Sequence, residues 1–297
     1  MDLAGLPQPG IFAFGSPAHS YLEFDGRDEV DDPEALVRTL LAAIEELSAV
    51  RALNVVVGFR PALWRTLSPT EISADLSGFD EPVVGDDGFT MPATQHDFTV
   101  WIAGGSYDVI FDASNELASR VGDHALLSAS VQGWHYHENR DLTGFVDGTE
   151  NPTPTRAPNL VLINSGPSAG GCVLLLQQWL HKRSWQDLAV EAREAVIGRT
   201  LNTDEELVPR PETSHVARTD QEDFGDILRR NTAYGTPQEH GTMFVGFASR
   251  QDILASMLRS MAGLGYPRDS LTRYATPVSG GYYYVPPLQQ LLSRLPR

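Results

Sequence analysis

The sequence has almost no cysteine. Of its 297 residues only Cys172 carries a thiol, so no intrachain disulfide can form. Its place in the apolar run Gly171-Cys172-Val173-Leu174-Leu175-Leu176 marks it as a small core residue. Long hydrophobic runs are missing too, and no stretch approaches the ~20 apolar residues that span a bilayer. The opening Met1-Asp2-Leu3-Ala4-Gly5-Leu6-Pro7 lacks the basic segment and apolar segment of a secretory signal. Positive charge is scarce, with 22 basic against 39 acidic residues and a net charge of −17. Such a surface repels phosphate backbones and anionic lipid. These absences lead us to expect a cytoplasmic protein with no nucleic-acid and no membrane partner. What is present is a globular mix, 41% apolar and 21% charged, which argues against disorder. The length suits one large core or two ordinary domains.

Four segments read as a strand followed by a helix. In the first, the alternating run His19 to Phe24 precedes Asp31, Asp32 and Pro33, a cap and first-turn proline, and the stripe Leu36, Leu40, Leu41, Ile44, Leu47. In the second, Phe98 to Ile102 precedes Ser106 as cap, a stripe at Val109, Ile110, Ala113, Leu117 and Val121, and a stop at Gly122. In the third, Val173 to Leu180 precedes a capping box of Ser184 and Asp187 and a face of Trp185, Leu188, Ala192 and Val196. In the fourth, Met243 to Phe247 precedes Ser249 with Asp252, then Ile253, Leu254, Met257, Leu258 and Met261, closing at Gly263 or Gly265. Further strands fit Leu53 to Phe59 and Tyr282 to Val285. The order predicts an α+β fold of two βαββαβ halves, each an antiparallel sheet with helices on one face. The boundary falls in the polar, Pro-rich stretch Thr149 to Asn159, giving halves of 1–150 and 151–297. Two long segments, Ser68 to His96 and Asn202 to Glu239, show little periodicity, as functional segments often do.

Candidate chemistry sits in three places. The loop Gly144-Phe145-Val146-Asp147-Gly148-Thr149-Glu150-Asn151-Pro152 holds Asp147 between two glycines that permit unusual backbone angles; the bland reading is an Asp-Gly turn. His135 and His137 lie two apart, so on a strand they share a face and, with Asp141 or Asp147, suit a non-haem metal; the bland reading is a half-exposed strand. His215 has no local partner, but a haem iron needs only one protein ligand. Arg229-Arg230-Asn231 follows, and arginine's permanent charge suits it to stabilise charge developing on oxygen.

Together these pieces resemble the dye-decolourising peroxidases, bacterial cytoplasmic subgroup. Gly144 to Gly148 matches the family's Gly-x-x-Asp-Gly signature, extended by Thr149 to Pro152. His215 falls at the proximal ligand, Arg229 and Asn231 match an Arg-x-Asn element, and Asp269-Ser270-Leu271 through Pro286 is similar to the closing segment. The matching motifs run from about Gly144 to Pro286, and the N-terminal half agrees in pattern only.

The resemblance implies two ferredoxin-like halves of the dimeric α+β barrel type, with the distal loop carried by the first half and haem b in a cavity of the second. It implies His215 as iron ligand, with Gly148, Thr149, Glu150, Asn151 and Asp269 around the cofactor. Arg273 stands where the family often has a second acid, so Asp269 is the candidate to accept the His215 Nδ1–H bond. Asp147 would shuttle a proton between the peroxide oxygens, Arg229 would stabilise the leaving oxygen, and Asn231 would orient peroxide. The implied partners are hydrogen peroxide, an aromatic, phenolic or Mn²⁺ electron donor reached through surface Tyr or Trp, and further copies in a homo-oligomer. The competing readings are a haem-handling protein that stores haem or releases its iron, and the non-haem site at His135 and His137. Packaging in a protein shell is not expected, since the chain ends at Leu291 to Arg297, soon after its last predicted strand.

Overall fold

The computed structural model describes residues 5–27 and 32–295. Met1 to Ala4 of the opening segment, the expected cap Asp31, and Pro296-Arg297 of the tail lie outside the described residues.

The first half runs β1 (Ala18–Gly26), α1 (Pro33–Val50), β2 (Asn54–Phe59), α2 (Pro61–Leu67), a small hairpin of β3 (Val83–Val84) and β4 (Thr90–Met91), β5 (Phe98–Gly104), α3 (Tyr107–Val121) and β6 (Ala125–Trp134). After α4 (Ala157–Val161) the second half runs β7 (Cys172–His181), α5 (Val190–Ile197), α6 (His215–Arg218), α7 (Gln221–Phe224), β8 (Leu228–Arg229), β9 (Thr232–Gly235), β10 (His240–Ala248), α8 (Gln251–Ala262), β11 (Ala275–Pro277), β12 (Gly281–Val285) and α9 (Leu288–Leu292). Each half has the expected ferredoxin-like order, β2-β5-β1-β6 in the first and β12-β7-β10-β9 in the second, with antiparallel neighbours. The expected division at 150/151 falls in the segment between Trp134 and Cys172.

The halves join edge to edge. Tyr284 pairs with Phe59 at one seam, and Gly133 and Trp134 pair with Tyr234 and Ala233 at the other. The ten-stranded sheet therefore closes into a barrel, which removes the free edges that two separate sheets would expose. Alternation sorts the side chains. Tyr21, Trp101, Leu174, Val245 and Tyr283 fill the barrel, while Leu22, Phe24, Val100, Val173 and Leu175 face the helices. Both faces are buried, and in β7 this shows as the continuous apolar run Cys172 to Leu176.

Helix ends follow local chemistry where a cap forms. Asp32 Oδ1 accepts the N–H of Ala35 and Pro33 opens α1. The last turn of α8 stops on Gly263 at φ +81°. Two expected caps are overturned. Ser249 is displaced because α8 starts at Gln251 with Arg250 before it, and Asp252 pairs with Arg250 instead. Ser184 starts no helix: Trp185 is drawn inward, its Nε1–H donates to the carbonyl of Thr143, and α5 begins only at Val190. The late, short α5 packs against α6 and the 3-10 turn Ser270–Arg273 rather than lying on the sheet. This leaves part of the outer face of β7 and β10 uncovered, and a cavity fills the gap.

Candidate functional site

The cavity is about 1150 Å³, counted with its open mouth. Its walls come from the outer face of β7 and β10 (Leu175, Trp179, Phe244), from α8 (Leu254, Met257, Met261), from α6, and from the loop after β6. A mostly apolar hollow with a few converging polar groups is the usual form of a cofactor site.

His215 opens α6, where the Ser214 hydroxyl accepts the N–H of Ala217. Its Nδ1 lies 2.7 Å from Asp269 Oδ2, and Asp269 is 0% exposed. The other Asp269 oxygen accepts the Leu271 N–H at 2.8 Å. A carboxylate fixed in this way accepts the hydrogen bond of Nδ1–H, so Nε2 is the ring nitrogen left for a ligand. A second histidine, His181 at the end of β7, also lines the cavity, and no sequence motif marks it. Burial pushes its pKa down to about 4, and its Nε2 lies 3.1 Å from the Thr242 hydroxyl.

Asp147, Arg229 and Asn231 line the same cavity. Gly144 and Gly148 take φ of +94° and +81°, which turns the intervening loop inward. The N–H of Asp147 donates to the carbonyl of Asn139 at 2.7 Å. Asn231 Nδ2 donates to Asp147 Oδ1 at 3.2 Å, while Asn231 Oδ1 accepts the Val245 N–H at 3.0 Å. Burial raises the Asp147 carboxyl above the usual range, opposed by the Arg229 charge and reinforced by Asp141. The Arg229 Nε is buried and has no hydrogen-bond partner among the described residues. Such an atom calls for a ligand. In the Arg229-Arg230-Asn231 run the side chains alternate. Arg230 leaves the cavity for the barrel mouth, where it donates to the carbonyls of Ile11 and Ala13 and lies 5.0 Å from the Trp101 ring centroid.

The other expected cofactor contacts divide. Thr149 and Glu150 line the cavity, and burial raises the Glu150 carboxyl. Gly148 and Asn151 do not. They line a second cavity behind the loop, and the Asn151 amide is occupied, donating to the Arg229 carbonyl and accepting the Arg229 N–H, both at 2.8 Å. Arg273 is exposed. Gln177, Trp179 and Arg199 also form the wall, and no motif in the sequence marks them. The shared face expected for His135 and His137 is overturned. β6 ends at Trp134, His135 Nε2 lies 2.8 Å from Asn139 Oδ1, and His137 sits at φ +23° against the Tyr136 ring. No cluster of three metal-ligating side chains forms among the described residues.

Two family models match nearly the whole chain, "Dyp-type peroxidase, N-terminal" over residues 8–135 and "Dyp-type peroxidase, C-terminal" over residues 138–290. The chain belongs to the Dyp-type peroxidase family. The dye-decolorizing peroxidase of Mycobacterium tuberculosis is 33% identical over 96% of this chain and 89% of its own length. That of Rhodococcus erythropolis is 32% identical over 96% and 88%. The crystal structure of DyPB from Rhodococcus jostii superposes with a TM-score of 0.88 at 32% identity, covering 99% of each chain. A variant of that protein in complex with heme gives a TM-score of 0.87 at 32% identity, covering 98% of each. This Dyp-type peroxidase is accordingly a haem peroxidase. The loop Gly144 to Pro152, expected in the first half, falls inside the C-terminal match, and no helix among the described residues is long and apolar enough to cross a membrane.

Proposed function

We propose that the enzyme uses haem b to reduce hydrogen peroxide and draws electrons singly from phenols or aromatic dyes. His215 would hold the iron, and Asp147, Arg229 and Asn231 would act on peroxide. One observation carries this reading: a single cavity joins a histidine whose Nε2 is left for a ligand to an arginine whose buried Nε has no partner among the described residues. The heme in the complex of the Rhodococcus jostii variant supports the choice of cofactor. We further read the chain as a cytoplasmic homo-oligomer on the family resemblance alone.

Bound there, haem iron supplies the peroxide-binding and electron-accepting chemistry. Asp269 makes the His215 imidazole a stronger donor and fixes its orientation. Asp147, its carboxyl raised by burial toward the range where it can both accept and give a proton, would take a proton from one peroxide oxygen and return it to the other; such a group contributes about 10²–10⁴-fold. Arg229 keeps its charge throughout and stabilises the departing oxygen. Asn231 holds Asp147 in place and is itself fixed by the Val245 N–H. His181 is the less suitable ligand because its Nε2 already faces Thr242.

The ligand assignment is tested by titrating haem into the apo-protein and recording the absorption spectrum. His215→Ala should lose tight binding and the wild-type spectrum, while His181→Ala should keep both. The reverse pattern would overturn the assignment.

A further inference from the structure

The second cavity, about 1110 Å³ and open to solvent, lies behind the distal loop. It shares four wall residues with the haem cavity: Asp141, Asp147, Arg229 and Asn231. Two of the four are acids. Asp147 is the proposed acid–base group, and no step described so far uses Asp141.

We propose that Asp141 is a proton-relay residue, passing protons from solvent in the outer cavity to Asp147. The inference rests on the distal reading of Asp147 given above. The geometry is that of a carboxyl anchored at one oxygen and open at the other. The backbone N–H of Thr143 donates to Asp141 Oδ1 at 2.8 Å, and the Thr143 hydroxyl donates to the same oxygen. Oδ2 has no partner among the described residues, and the side chain lies in both walls. Burial raises the Asp141 carboxyl, opposed first by the Thr143 bonds and then by His215 and Arg229. It acts in the same direction on Asp147, and Arg229 and His215 oppose the rise at both carboxyls. The outer cavity adds His19, His135, Arg140 and Arg230 to the groups that face the pair.

The proton balance of peroxidation gives such a relay work to do. Hydrogen peroxide and two donor molecules AH yield two waters and two A radicals. Peroxide is reduced by two electrons and each donor is oxidised by one. The two donor protons are released outside, while the second water forms inside and needs two protons. In each transfer the O–H bond of Asp141 breaks as one forms on Asp147, and solvent in the outer cavity reprotonates Asp141.

The test is Asp141→Asn, which keeps the Oδ1 acceptor for Thr143. Steady-state dye turnover across the pH range should fall roughly tenfold or more, with a changed pH profile. Asp141→Glu should recover much of the loss. In apo-protein labelled with ¹³C at the aspartate carboxyls, Asp141→Asn should move the Asp147 titration to lower pH, because a like charge has been removed. A turnover profile for Asp141→Asn that superimposes on wild type would overturn the relay. If Asp147→Asn also kept wild-type turnover, the distal reading of Asp147 would fall with it, so the two failures are distinguishable.

Discussion

Asp269 is wholly buried, and both its oxygens are engaged inside the protein, one by His215 Nδ1 and one by the Leu271 N–H. Asn at this position keeps an acceptor but loses the charge that makes the imidazole a strong donor. Asp269→Asn should weaken haem affinity or turnover by about 10–100-fold, read by haem titration and steady-state assay. Wild-type values in both would contradict the role. The pairing spans 54 residues of sequence, and no local pattern links its two members. Motif spacing pointed to His215, Asp147 and Arg229 one at a time. Asp141 enters the sequence reading only as an alternative partner of His135 and His137 in a non-haem metal site, because its side chain reaches the cavity wall only after His137, Glu138 and Asn139 adopt φ of 23°, 45° and 64°. Three successive non-glycine residues in that region are held by tertiary contacts rather than by propensity.

Among the elements, the distal loop depends on its glycines. A Cβ at Gly148 would lie 2.7 Å from Asn151 Nδ2, on a backbone at φ +81°. Gly148→Ala should therefore loosen the two-way clasp between Asn151 and the Arg229 backbone. The expected cost is on the order of 1–3 kcal/mol, measured by urea unfolding, together with slower reaction with peroxide. Unchanged stability and unchanged rate would show that the clasp does not position Arg229. Helices α1, α3 and α8 were legible because each buries an apolar stripe of period 3.6 against the sheet. Helix α5 was not, because Trp185 leaves the helical path to meet the ring of Phe145, 6.3 Å between centroids. The site owes its space to that departure.

At the scale of the whole molecule, the two-half pattern was readable from the order of strands and helices, whereas the barrel closure was not. The seams at Tyr284–Phe59 and Gly133–Tyr234 join residues far apart in sequence, and edge pairing leaves no periodic signal. Closure also buries Glu23, whose carboxylate accepts the Tyr283 hydroxyl. Burial raises the Glu23 carboxyl, and the Tyr283 bond opposes the rise. With the folded value above the unfolded one, the folded state binds more protons between them. That stability is present below the unfolded value and lost as pH rises through the folded one. Glu23→Gln should flatten the fall in urea midpoint as pH rises above the ordinary carboxylate range; a curve parallel to wild type would contradict a buried titrating Glu23. The most direct measurement on the whole enzyme mixes one equivalent of hydrogen peroxide with the haem-loaded protein and follows the absorption change. Asp147→Asn should slow that change by about 10²–10⁴-fold relative to wild type. Equal rates would contradict Asp147 as the proton-handling residue.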